Sequence, residues 1–83
     1  MKFSDVKQGS KGTDVMILQA LLRALQYVGK DCKPLVIDGQ CGINTVYAIN
    51  EFQTRQRAYG TECGKQGKNT GIFNQLCWSL LLG

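Results

Sequence analysis

The 83-residue sequence carries ten Lys and Arg against six Asp and Glu, a formal charge of +4, with 43% hydrophobic residues and no histidine. A chain of this length buries only about 60% of the surface its unfolded form exposes, so it supports one modest core and excludes a cleft walled by two layers. Missing histidine removes the commonest general base at neutral pH and the commonest nitrogen ligand for metals, which excludes His-dependent hydrolytic triads.

A single domain over 1–83 is expected, with its core over about 6–82. The opening MKFSDVKQGSKG lacks the apolar run of a secretory signal, and no stretch approaches the roughly 20 apolar residues of a membrane span. No membrane partner is expected, and work outside a cell would need export through a parent protein, a lysis route or a processed precursor.

In chain order, the first unit is GSKGTD (9–14), two glycines three apart followed by an acid. Glycines permit tight turns and Asp accepts hydrogen bonds from the unpaired N–H groups of a new helix, so the unit reads as a turn that launches a helix. Asp14 is its N-cap or first-turn acid, favourable beside the positive end of the helix dipole. The spacing of Val15, Leu18, Leu21, Leu22, Leu25 and Val28 predicts a helix from Asp14 to Val28, with Gln19, Arg23 and Gln26 opposite the stripe and Gly29 ending it.

Pro34 then blocks helix, and Leu35, Val36 and Ile37 read as a short extended piece covering the core. A second unit, GQCGIN (39–44), launches a helix from Thr45 to about Ala58 with the stripe Val46, Ile49, Phe52 and Gln56. Tyr59 to Cys63 is a polar connection to a third unit, GKQGKN (64–69). The last helix is predicted from Thr70 to about Leu82, with Ile72, Phe73, Leu76, Cys77 and Leu80 on one side and Trp78 off it. Three amphipathic helices, none able to bury its stripe alone, imply an all-α three-helix bundle, with a long loop between helices 1 and 2 holding a short extended segment.

The cysteines stand at 32, 41, 63 and 77 with no CxxC pair. That spacing without histidine disfavours a zinc site, and no metal or cofactor is expected. Burial of reduced thiols is one reading. Cys77 lies among Leu76, Leu80 and Leu81, whereas Cys32 and Cys63 lie in loops and are the candidate disulfide.

The segments VKQGSKGTDVMILQALLRAL, IDGQCGINTVYAINEFQ and GKQGKNTGIFNQLCWSLLLG resemble, from about Val6 to Leu82, the three-helix peptidoglycan-binding domain found on bacterial and phage cell-wall hydrolases. The matching positions are Gly9, Gly12, Asp14, Val15, Leu18 and Gln19 in the first segment. In the second they are Asp38, Gly39, Gly42, Thr45, Ala48, Ile49, Phe52 and Gln53. Cys41 replaces an aromatic or aliphatic residue, as a buried filler would, while Cys63 and Gly71 depart from the closing repeat's Asp and Trp.

The resemblance implies a non-catalytic module that binds glycan and peptide stems of the cell wall and targets a hydrolase or a phage or bacterial assembly, in cis or in trans. No catalytic residue is expected. Candidate ligand-binding residues are Asp38, Gln19, Gln53, Tyr47 and Trp78. Asp38 also suits a turn-capping role, and either glutamine, flanking a core stripe, suits a bond to loop backbone. Tyr47 and Trp78 lie off their stripes and offer aromatic faces on which pyranose rings pack. Two alternatives are a protein-interaction scaffold on the same fold and a small basic nucleic-acid binder. The second is disfavoured because the basic residues are scattered rather than gathered on one helix.

Overall fold

The computed structural model describes residues 3–64 and 67–82. Val15, Leu18 and Leu22 recur at helical spacing and are buried on one face of α1 (Thr13–Ala24). This helix stops four residues short of Val28, because Gln26, not Gly29, turns the chain, with φ at 67°. The Gln26 N–H donates to the Arg23 carbonyl and the Tyr27 N–H to that of Leu22, both at 2.9 Å, closing α1 with the paired bonds of a Schellman end. Leu25 is consequently exposed and Tyr27 is turned into the core.

The second helix, α2 (Ile43–Ala58), buries Thr45, Ala48, Ile49, Phe52 and Gln53. Its end repeats that of α1: Gly60 N–H donates to Arg57 at 3.0 Å and Thr61 N–H to Gln56 at 2.9 Å. The third, α3 (Gln75–Leu82), begins five residues later than the periodicity predicts. Its start is set by Asn74, whose Oδ1 accepts the Cys77 N–H at 2.9 Å as an N-cap. The shift rotates the buried face to Phe73, Cys77 and Trp78 and leaves Ile72 and Leu76 exposed.

The segment before α1 binds the turns that precede the other two helices. Val6 and Phe73 exchange backbone hydrogen bonds of 3.0 and 2.7 Å. Further along, Gly9 N–H donates to Cys41 and Cys41 N–H to Ser10, at 2.9 and 2.8 Å. Asp14, in the first turn of α1, accepts the Ser4 N–H at 2.8 Å and so anchors the same segment. The extended piece expected at 35–37 reduces to one buried residue, Leu35, beside an isolated antiparallel pairing of Val28 with Pro34.

Inside, a run of aromatic contacts links the elements: Tyr27 to Phe52, Phe52 to Phe73 and Phe73 to Trp78, with centroids 6.0, 5.2 and 5.0 Å apart. Phe3 stacks on Trp78 with centroids 4.3 Å apart. Such pairs contribute about 0.5–1.5 kcal/mol each beyond burial. Arg55 sits 4.7 Å from the Tyr27 ring centroid, and burial raises the Tyr27 phenol above its ordinary pKa despite that charge.

No disulfide joins any of the four cysteines in this structure. Cys41 is a buried filler, and burial pushes its thiol up to about 11. The Cys32–Cys63 pairing does not match the geometry: Cys32 is exposed, while the sulfur of buried Cys63 lies 2.7 Å from that of Cys77. The phase of α3 explains the difference, because it turns Cys77 inward against the end of the connection that carries Cys63.

Candidate functional site

Gln19 was expected opposite the α1 stripe, yet it is 1% exposed. Its burial is tolerated because its amide is fully engaged. Oε1 accepts the N–H groups of Asp38 and Gly39 at 3.1 and 2.9 Å. Nε2 donates to Asp38 Oδ1, the Gln40 carbonyl and Thr45 Oγ1 at 3.0, 2.9 and 3.1 Å. One side chain of α1 thus fixes the turn that launches α2. Gly39 adopts φ at 74°, a conformation that favours glycine, and a Cβ there would stand 2.9 Å from Met16 Cγ, so the exposed Met16 side chain would have to shift to admit one.

Gln53 repeats this construction from α2. Its Oε1 accepts the N–H groups of Thr70 and Gly71 at 3.0 and 3.2 Å. Its Nε2 donates to Thr70 Oγ1 and the Ile72 carbonyl at 3.1 and 3.0 Å, and reaches Cys77 Sγ at 3.7 Å. Thr70, Gly71, Ile72 and Cys77 therefore stand where Asp38, Gly39, Gln40 and Thr45 stand in the first unit. This corrects the reading of the closing repeat: the turn that launches α3 is at 70–72, and GKQGKN at 64–69 belongs to the preceding connection. Lys65 and Gln66 of that motif lie outside the described residues. Gly71, with φ at 71°, is the counterpart of Gly39 rather than a departure from an aromatic position.

Both glutamines therefore act on loop backbone, and their polar atoms are occupied. Trp78 is 3% exposed, and its Nε1 donates to the Ser4 carbonyl at 2.9 Å, so its ring is a core element instead of a surface platform. Tyr47 lies on the α2 surface, outside the cavity that involves Asp38. Of the five residues singled out in the sequence, Asp38 and Gln19 come together and the other three do not join them.

The 38–40 turn, the first turn of α2 and the loop around Pro34 enclose a groove of about 290 Å³. Buried Gln19 and Thr45 form its base, and Asp31, Asp38, Gln40 and Asn44 supply polar groups. Pro34, Val36 and Ile43 add apolar wall, with Val36 70% and Ile43 59% exposed. The Gln40 backbone N–H, 3.0 Å from Asp38 Oδ1, and the Gln19 amide hold the Asp38 carboxyl below the ordinary carboxylate pKa. Both of those bonds fall on Oδ1. Asn44 uses its Oδ1 to accept the Lys30 N–H at 3.0 Å. The sequence marked Val36 only as part of an extended piece and Asn44 only as part of a helix-launching unit, and Ile43 carried no signal of its own, since an apolar residue outside a stripe has no period to reveal it.

A second depression of about 310 Å³ lies over Asp5, Lys11, Thr13 and Asp14 at the start of α1. The first groove is the stronger candidate because its ionised carboxylate is held by a buried framework and stands beside exposed apolar walls. Amphipathic ligands need that combination. Among the described residues no group of three metal-ligating side chains occurs.

Comparison with known proteins places these features. The sequence profile of the peptidoglycan binding domain matches residues 11–81. No curated protein matches the sequence. Among solved structures, the crystal structure of the SleB N-terminal domain aligns over 98% of this chain and 94% of its own, with a TM-score of 0.68 and 22% identity. That match shows the shared all-α fold.

Proposed function

This chain belongs to the peptidoglycan binding domain family, and from that membership we propose that the groove beside Asp38 is where the wall polymer is held. The family makes the domain a non-catalytic binding module that works at the cell wall. The observation that supports the groove is its pairing of Asp38, kept ionised by Gln19 and Gln40, with the exposed side chains of Val36 and Ile43. Peptidoglycan has the matching chemistry. Methyl groups of N-acetyl and lactyl substituents pack on apolar wall, while amide N–H groups donate to a carboxylate.

A groove this shallow binds weakly on its own. The benefit of the domain then comes from effective concentration: a catalytic domain or protein, linked in cis or held in trans, stays near an insoluble substrate. Delivery to the wall proceeds with that partner, by lysis or by processing. No described helix is long and apolar enough to cross a membrane.

Retention on purified peptidoglycan tests the site. Val36 and Ile43 are exposed, so a Val36→Ser, Ile43→Ser double variant keeps the fold and is expected to bind about tenfold more weakly, as befits losing ~1.4 kcal/mol of apolar contact. Tyr47→Ala is expected to bind as the unaltered chain does. Unchanged retention by the double variant would move the site away from the groove, and loss with Tyr47→Ala would place it on the α2 surface.

A further inference from the structure

The closing unit holds a pair of cysteines that lies outside the proposed groove. Cys63 and Cys77 are both buried, their sulfurs lie 2.7 Å apart, and they belong to different elements, the connection after α2 and the first turn of α3. The surrounding bonds hold them in register. Asn74 Nδ2 donates to the Cys63 carbonyl at 2.8 Å while Asn74 Oδ1 accepts the Cys77 N–H at 2.9 Å. One asparagine therefore clamps the backbone at both cysteines, leaving the two sulfurs facing each other in a site closed to water.

We propose that Cys63 and Cys77 are a disulfide site, oxidised by exchange with a low-molecular-weight disulfide, and that the bond staples the closing unit. In the first exchange one cysteine thiolate attacks the small disulfide, forming a mixed disulfide and releasing one small thiol. The second cysteine then attacks the mixed disulfide, forming the Cys63–Cys77 bond and releasing the other small thiol. The two cysteine protons end on the two released thiols, and the two electrons lost by the protein reduce the small disulfide.

Burial controls when this happens. It pushes the Cys63 thiol up to about 12, so thiolate is scarce in the folded domain and the small disulfide has no access. Exchange therefore occurs while the chain is open, and folding protects whichever state was made. The bond would close the segment that contains the 70–72 turn, where chain entropy makes a crosslink effective.

Trypsin offers a direct assay, because Lys65 and Lys68 lie between the two cysteines while Arg57 precedes both. The whole chain is unfolded, refolded with oxidised glutathione, capped with an alkylating agent and digested without reduction. Joined peptides 58–65 and 69–83 are expected, and reduction of the refolded protein is expected to lower its Tm by at least about 10 °C. Cys77→Thr, which installs the residue found at the equivalent position 45, is expected to unfold at the same temperature with and without reductant. Separate peptides, a link from 31–55 to either of them, or an unchanged Tm on reduction would overturn the proposal.

Discussion

In the first unit a buried glutamine of α1 holds the 38–40 turn that launches α2, and in the closing unit a buried glutamine of α2 holds the 70–72 turn that launches α3. The amide bonds correspond position for position, but the partner side chains and their surroundings do not. The first unit has Asp38, Cys41 and Thr45 where the closing unit has Thr70, Phe73 and Cys77. Phe73 and Trp78 pack into the aromatic run, while the first unit's turn remains beside an open groove with an ionised carboxylate. One backbone device thus stands in two settings: in one place it borders the open groove proposed as the binding site, and in the other it seals a core.

The largest effect comes from removing the device itself. Gln19→Leu leaves the N–H groups of Asp38 and Gly39 without their acceptor, and Gln53→Leu does the same to Thr70 and Gly71. A stranded buried donor costs about 1–3 kcal/mol, so each variant is expected to lose roughly 2–4 kcal/mol in urea unfolding. The Gln19 variant should lose slightly more, because the third acceptor of Gln53 is a sulfur at 3.7 Å, a weak partner. The sharper contrast is functional. Measured on folded protein, retention on peptidoglycan should fall for Gln19→Leu and hold for Gln53→Leu. Equal losses would mean that the closing unit also meets the wall.

The sequence made some of this visible and hid the rest for physical reasons. Val15, Leu18 and Leu22, like Ile49 and Phe52, announce their helices because burial of one face imposes a period. The glutamines are harder to place. A buried Gln looks like a solvent residue unless its partners are known, and those of Gln19 lie 19 to 26 positions away. The closing unit misleads further, because GKQGKNT imitates the pattern of GQCGINT while the working turn has a single glycine, Gly71. Starting α3 at Thr70 instead of Gln75 put Trp78 on the wrong side. Asp38 was recognisable from its motif, whereas Val36 and Ile43, exposed and aperiodic, became meaningful only with the groove.

A smaller effect compares the two helix ends. Both α1 and α2 close with paired Schellman bonds through a left-handed residue, but α2 uses Gly60 and α1 uses Gln26. A side chain in that conformation costs about 1–2 kcal/mol, part of which glycine returns through the greater freedom of the unfolded chain. Gln26→Gly is therefore expected to stabilise the domain by about 0.5–1 kcal/mol, seen as a higher urea midpoint with an unchanged slope. A lower midpoint would show that the Gln26 side chain contributes more than its backbone costs.

The finest distinction is charge. Asp38 Oδ1 and Thr70 Oγ1 accept equivalent bonds, from a glutamine amide and from the backbone N–H two residues on. Only Asp38 titrates. Its folded pKa lies below the ordinary value, chiefly through the Gln40 N–H and then the Gln19 amide, so the folded state holds that proton less readily than the unfolded chain does. The stability this contributes is complete above about pH 4, the carboxyl's unfolded range, and is lost as the pH falls through the lower folded value. Asp38→Thr transplants the closing unit's residue, keeping the two bonds without the charge. Thermal unfolding from pH 6 to pH 2 should then show a shallower acid decline for the variant than for the unaltered chain, and its wall retention at pH 7 should fall because the groove has lost its carboxylate. If retention survives while the acid decline flattens, Asp38 serves the turn alone and the apolar walls carry the binding.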